Sequence, residues 1–336
     1  MNRRWQRYTE RNLLKLRLSD LALDLNAVLR KRVAKLNEEL AAKGLRFRPH
    51  YWLGEEWFTP DGVPGIAIPF YLAHPRLIKL ERKFMLEAEG ASEFECMRIL
   101  RHEAGHAIDN AYRLHRRKRW RELFGPSSIR YPDSYKPRPN SRKFVLHLNG
   151  WYAQAHPAED FAETFAVWLT PGYPWRKRYA GWPALEKLEY VDELMQEIGS
   201  QPMIIKTRRK VEPLREIKMT LVEHYRKKRT LYAVDWPGYY DRDLRRVFSN
   251  EPRYKSRMSA AAFLRSHRIE LCEKVAHASG MHPYAINFLV RNMVERSKAM
   301  KLRLCDTPTT TRETVMLILT VHAVHFAHSG YLPIAV

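Results

Sequence analysis

The chain predicts an α+β fold with a mainly helical C-terminal region. Three features carry that expectation: apolar residues at helical spacing near both ends, an aromatic and β-branched stretch between them, and a well-signalled amphipathic helix starting near residue 92. At 336 residues the chain is long enough for a substantial core, and 45% hydrophobic residues exclude a disordered or fibrous protein.

Leu13, Leu16, Leu18, Leu21, Leu25, Val28, Leu29, Val33, Leu36 and Leu40 recur at mixed three- and four-residue steps, which predicts a helical segment stopped by Gly44. From Phe47 to Leu80 proline and glycine punctuate the chain. Within that stretch Ile66–Leu72 predicts a strand, and its internal Pro69 favours a sheet edge. Such an edge could take an extended peptide by strand addition.

Ser92-Glu93-Phe94-Glu95 is a capping box, because Ser92 and Glu95 can each satisfy an orphan backbone donor at a helix start. The helix it opens is predicted to run to about Arg113, burying Phe94, Met97, Leu100, Ala104, Ala107 and Ala111. Residues 113–150 read as a long Pro-rich basic connection, with eleven Lys/Arg against two acids and a short strand at Phe144–Leu148. A second helix is predicted from Pro157, a favoured first-turn residue, to just before Pro171-Gly172. Residues 206–258 are basic again, with sixteen Lys/Arg against seven acids, and about 259–327 reads as helical. The expected organisation is a helical segment at 1–48, a catalytic domain at 49–205 and a basic, mainly helical domain at 206–336.

The formal charge of +22 implies either an acidic partner or a well-solvated basic surface. Arg116–Arg119 and Arg226–Arg229 are charge runs of the usual solvated kind; at a cleft rim they would favour acidic substrates. Cys96, Cys272 and Cys305 are too few and scattered for a disulfide framework, which fits a reducing compartment. Charges interrupt Leu13–Leu29, which excludes a signal peptide there, and Val315–Ala327 is too short to span a bilayer. A cytoplasmic protein without membrane contact is expected.

Chemistry concentrates in Arg101-His102-Glu103-Ala104-Gly105-His106-Ala107-Ile108-Asp109, which contains HExxH within the first of the two strongly signalled helices. Four residues is just over one turn, so His102 and His106 share a face and can hold one metal ion. Glu103 beside them is placed as general base for a metal-activated water. A catalytic zinc needs a third protein ligand and an open position. Glu159 and Glu163 share a face of the second helix, with Glu159 the candidate ligand and Glu163 a candidate hydrogen-bond acceptor for a ligand histidine. His147, His156 and Asp160 are rival third ligands, and His156 could instead cap the second helix.

HExxH followed by ExxxE on a later helix resembles the gluzincin superfamily of zinc metallopeptidases. Residues 101–169 resemble a bacterial family of zinc-binding metallopeptidases, and the local texture is similar to the catalytic domain of anthrax lethal factor. The resemblance implies a zincin-like core, a Zn2+ cofactor and a peptide or protein substrate. It also implies His102, His106 and Glu159 as metal ligands, Glu103 as base, Glu163 behind a ligand, and Tyr152 as hydroxyl donor to the oxyanion. The other reading of Tyr152 is an aromatic packed beside Trp151.

Two further features stay open. Leu271–Ile286, with Gly280 at its turn, has a faint helix–turn–helix look, though an ordinary helical hairpin explains it as well. With the net charge it motivates a different function, a nucleic-acid-associated protein whose zinc site is structural or vestigial. His322, His325 and His328 lie three apart on the last apolar helix, with no acidic or thiol neighbour in sequence.

Overall fold

The computed structural model describes residues 3–335 apart from 133, 136, 137, 139, 140, 232–239 and 330–333. It is mixed α and β, mostly helical with small sheets, and divides into two compact units: 1–82 with 88–224, and 83–87 with 225–335. These limits differ from the division at 48/49 and 205/206 read from composition.

In the first unit, Asn26 caps the helix Ala27–Ala42 by accepting from Leu29 N at 2.8 Å, and Leu29, Leu36 and Leu40 are buried. Arg101, one residue before the HExxH pair, makes a bidentate ion pair at 2.7 Å with Glu39 of that helix. A planar guanidinium matched to a carboxylate is the stronger kind of ion pair. It ties the N-terminal segment to the back of the helix that carries the histidines, within one packed unit.

Strand β1 (His50–Gly54) pairs in parallel with β2 (Gly65–Pro69), His50 opposite Gly65 and Gly54 opposite Pro69. The expected strand therefore stops at Pro69, and Phe70–Ala73 turns into a 3-10 helix. Pro69 holds the last position of the strand, where its missing donor disrupts nothing beyond it. The expected open edge is also partly covered, since Ala67 N donates to Phe58 O at 2.9 Å across an antiparallel bridge.

The capped helix runs Glu93–Tyr112, with Ser92 accepting from Glu95 N and Arg113 closing it in the left-handed region at φ 52°. Met97, Leu100, Ala104, Ala107 and Ala111 are buried as expected, but Phe94 is 73% exposed. It lies in the first turn, beneath the Arg98 guanidinium at 5.6 Å.

Residues 118–124 form a helix inside the expected connection, anchored by Trp120 and Phe124, which pack against Phe161. The adjoining basic run is not simply solvated: Arg117 and Arg119 pair with Glu197 and Glu193 at 2.7 Å. Phe144–Leu148 forms no strand. Its backbone donors go to side chains instead, Leu146 N to Tyr179 Oη and Leu148 N to Glu163 Oε2.

The second unit is helical, with Asp241–Val247, Ala260–Ser266, Arg268–Ser279, Pro283–Ala299 and Pro308–Ser329 joined by a two-residue antiparallel pair of Phe248–Ser249 with Arg303–Leu304. Leu271, Val275, Ile286, Leu289 and Leu319 share its core. Gly280 ends Arg268–Ser279 at φ 72°, so the turn before Pro283–Ala299 uses glycine's left-handed freedom. His322 does have an acidic partner, Asp243 at 2.8 Å. The side chains of His325 and His328 lie outside the described residues. Among the described residues no helix is long and apolar enough to cross a membrane.

Candidate metal centre

Two helices make the site, and one glycine lets them meet. The histidine helix Glu93–Tyr112 crosses the carboxylate helix Pro157–Leu169 at Gly105, where an added Cβ would lie 2.7 Å from Ala162 Cα. Ala162 sits between Glu159 and Glu163 in sequence. The missing side chain in the middle of HExxH thus sets the interhelical distance that brings the carboxylates to the imidazoles.

His102 Nε2 lies 2.9 Å and His106 Nε2 3.3 Å from Glu159 Oε2, and the two ring nitrogens are 3.1 Å apart. All three residues face one point, with His102 and Glu159 buried and His106 partly exposed. On its far side, His102 Nδ1–H donates to Glu163 Oε1 at 2.8 Å. Glu163 Oε2 accepts from Leu148 N, also at 2.8 Å, so both carboxylate oxygens are engaged. A proton held at Nδ1 leaves the Nε2 lone pair for a ligand, which is how outer carboxylates orient metal-binding histidines.

The electrostatics match a cation. Burial opposes charge on His102, yet the hydrogen bonds and charges of Glu159 and Glu163 outweigh it and hold its pKa well above the ordinary value. Burial is likewise the largest influence on His106, but Glu159 raises it overall. Burial pushes the Glu159 pKa up, and the two histidines overcome that and draw it down to about 2. Two imidazoles and one carboxylate with converging lone pairs are also the donor types that zinc prefers, so the residues fit such an ion.

Glu103 is buried and accepts from Thr59 Oγ1 at 2.8 Å on Oε2. It also contributes charge at both His106 and Tyr152. Tyr152 follows two left-handed residues, Gly150 at φ 74° and Trp151 at φ 56°, and its ring lies 5.6 Å from that of His102. Burial, followed by the charge of Glu103, raises the Tyr152 pKa and keeps its hydroxyl protonated.

The rival ligands point elsewhere. His147 bonds through Nε2 to Arg98 O at 3.0 Å, and burial lowers its pKa. His156 caps the carboxylate helix through Nδ1, accepting from Ala158 N at 3.1 Å, while Nε2 meets Ile129 O. Asp160 pairs with Lys187 at 2.5 Å; burial pushes its pKa up to about 7 against that pull. Thr59 and Leu148 carry no sequence signal. One acts through a hydroxyl 44 residues before Glu103 and the other through its backbone.

No curated protein and no solved structure matches the chain. Residues 96–171, which include the cluster and all but three residues of the histidine helix, match a protein family described as "Putative zinc-binding metallo-peptidase". In this segment, then, the chain is similar to a metallopeptidase family described as zinc-binding, and the same segment holds a cluster suited to a metal.

Proposed function

We propose that the chain is a zinc-dependent peptidase of the gluzincin type, with His102, His106 and Glu159 as ligands. The observation that carries this reading is the convergence of His102, His106 and Glu159, with His102 oriented from behind by Glu163. A zinc ion there supplies a Lewis acid and lowers the pKa of water to about 7. Glu103 takes the proton of the attacking water on its carboxylate and returns it to the leaving amine. Tyr152 donates its hydroxyl to the carbonyl oxygen of the substrate as negative charge develops. The substrate is a peptide or protein, and the excess of basic residues favours acidic segments in it. Three free thiols fit a cytoplasmic setting.

Metal analysis of the purified protein together with digestion of a proteome-derived peptide library tests the reading. Stoichiometric zinc and new peptide termini are expected, the termini vanishing with a chelator and returning with zinc. Bound zinc without cleavage would mark a structural site, and no bound metal would remove the proposal altogether.

Tyr152→Phe removes the hydroxyl and keeps the ring against His102. Turnover should fall about 10²–10³-fold with metal content unchanged, as for other oxyanion donors. Undiminished turnover would assign Tyr152 to packing alone.

A further inference from the structure

The loop joining β1 to β2 passes over the histidine helix and is held there at several points. Asn110 lies seven residues after Glu103, two turns along the same helix face. Its Nδ2 donates to Pro60 O at 3.0 Å and Val63 O at 3.2 Å, and its Oδ1 accepts from Gly62 N at 3.0 Å. A buried amide that spends both its ends on one loop fixes that loop's height above the helix. On the other side, Phe58 is anchored by its bridge to Ala67 of β2. Thr59 is therefore clamped between two anchored neighbours, and its single hydroxyl proton faces Glu103. Oε2 at 2.8 Å is the nearer acceptor, with Glu103 O at 3.2 Å.

We infer that Thr59 is a positioning residue for Glu103, with Asn110 holding Thr59's loop in place. The inference rests on the peptidase reading and assigns the base its support. A glutamate side chain has three rotatable bonds, and packing restrains its carboxylate poorly. Among the described residues, Thr59 makes the one hydrogen bond to that carboxylate. It occupies Oε2 and leaves Oε1 to take a proton. A base held in productive geometry is worth far more than one that samples several rotamers, since a displacement of about 1 Å can cost about 10²-fold in rate.

Thr59→Val keeps the shape and removes the hydroxyl, while Thr59→Ser keeps the hydroxyl and removes the methyl. In the zinc-loaded full chain, Thr59→Val should lower kcat on a library-derived peptide about 10–100-fold, with KM, zinc content and melting temperature unchanged. Thr59→Ser should restore turnover to within about threefold of the parent. Asn110→Ala, which frees the loop without touching Glu103, should lower kcat in the same direction. Introduced into Glu103→Gln, Thr59→Val should cost nothing more, because no base remains to be positioned. Equal kcat for Thr59→Val and the parent, or equal loss in Thr59→Val and Thr59→Ser, overturns the assignment.

Crystal structures of the parent and of Thr59→Val decide it without activity. The Glu103 carboxylate should leave its position in the variant, and an unmoved carboxylate overturns the inference. A parent that cleaves nothing defeats the peptidase reading, while the crystallographic comparison still decides whether Thr59 places Glu103.

Discussion

Glu159→Ala should empty the proposed metal site. Zinc content after dialysis should fall to background, because this substitution removes one of three converging donors and the only negative charge among them. Two imidazoles, their Nε2 atoms 3.1 Å apart, are a poor cage for a divalent cation in a buried setting. Glu163→Ala is the informative contrast. It leaves all three donors in place and removes the acceptor at His102 Nδ1, so zinc should remain but bind about 10–100-fold more weakly.

Competition with a chromophoric chelator reads both constants. The same difference should appear in stability, since a ligand that binds only the folded state raises its melting temperature by mass action. Added zinc should shift the parent and Glu163→Ala upward and leave Glu159→Ala where it is. The reverse ranking of the two carboxylates would show their roles exchanged.

Glu103→Gln should cripple hydrolysis and spare the metal. The amide has nearly the shape of the carboxylate, and its oxygen can still accept from Thr59, so the local structure has little reason to change. It cannot take a proton. Loss of a positioned general base costs typically 10²–10⁴-fold, and kcat measured on a peptide from the library digest should fall by about that amount. Zinc content should match the parent, because Glu103 stands outside the donor cluster. Cleavage at the parental rate would move the base to another residue; loss of zinc would show that Glu103 holds the metal directly or through the helix.

Both experiments address residues that spacing alone brings to notice, and the reason is local. HExxH and ExxxE lie within single helices, where the 3.6-residue period decides which side chains share a face. The Ser92 cap behaves the same way, being read from neighbours at most three residues away. Features that need a partner elsewhere in the chain were less legible. Phe144–Leu148 has a strand's composition, yet its amides are spent on Tyr179 and Glu163, which the segment itself does not contain. Pro69 suggested an edge, while Phe58 supplies a bridge on that side. Phe94 fits the helical stripe but falls in a first turn that the core does not reach.

By itself the amino-acid sequence determined the two helices, the Ser92 cap of the first, the shared face of His102 and His106, and the glycine between them. These follow from bond geometry over a few residues. Tertiary packing alone decided that Glu159 Oε2 meets both histidines, that His147, His156 and Asp160 bond elsewhere, and that a threonine from a distant loop reaches Glu103. Those pairings span 27 to 57 residues, apart from the His156 cap, and depend on how closely helices approach at Gly105 and where a clamped loop comes to rest. No periodicity encodes such distances, because they are set by the volumes of all the side chains packed between.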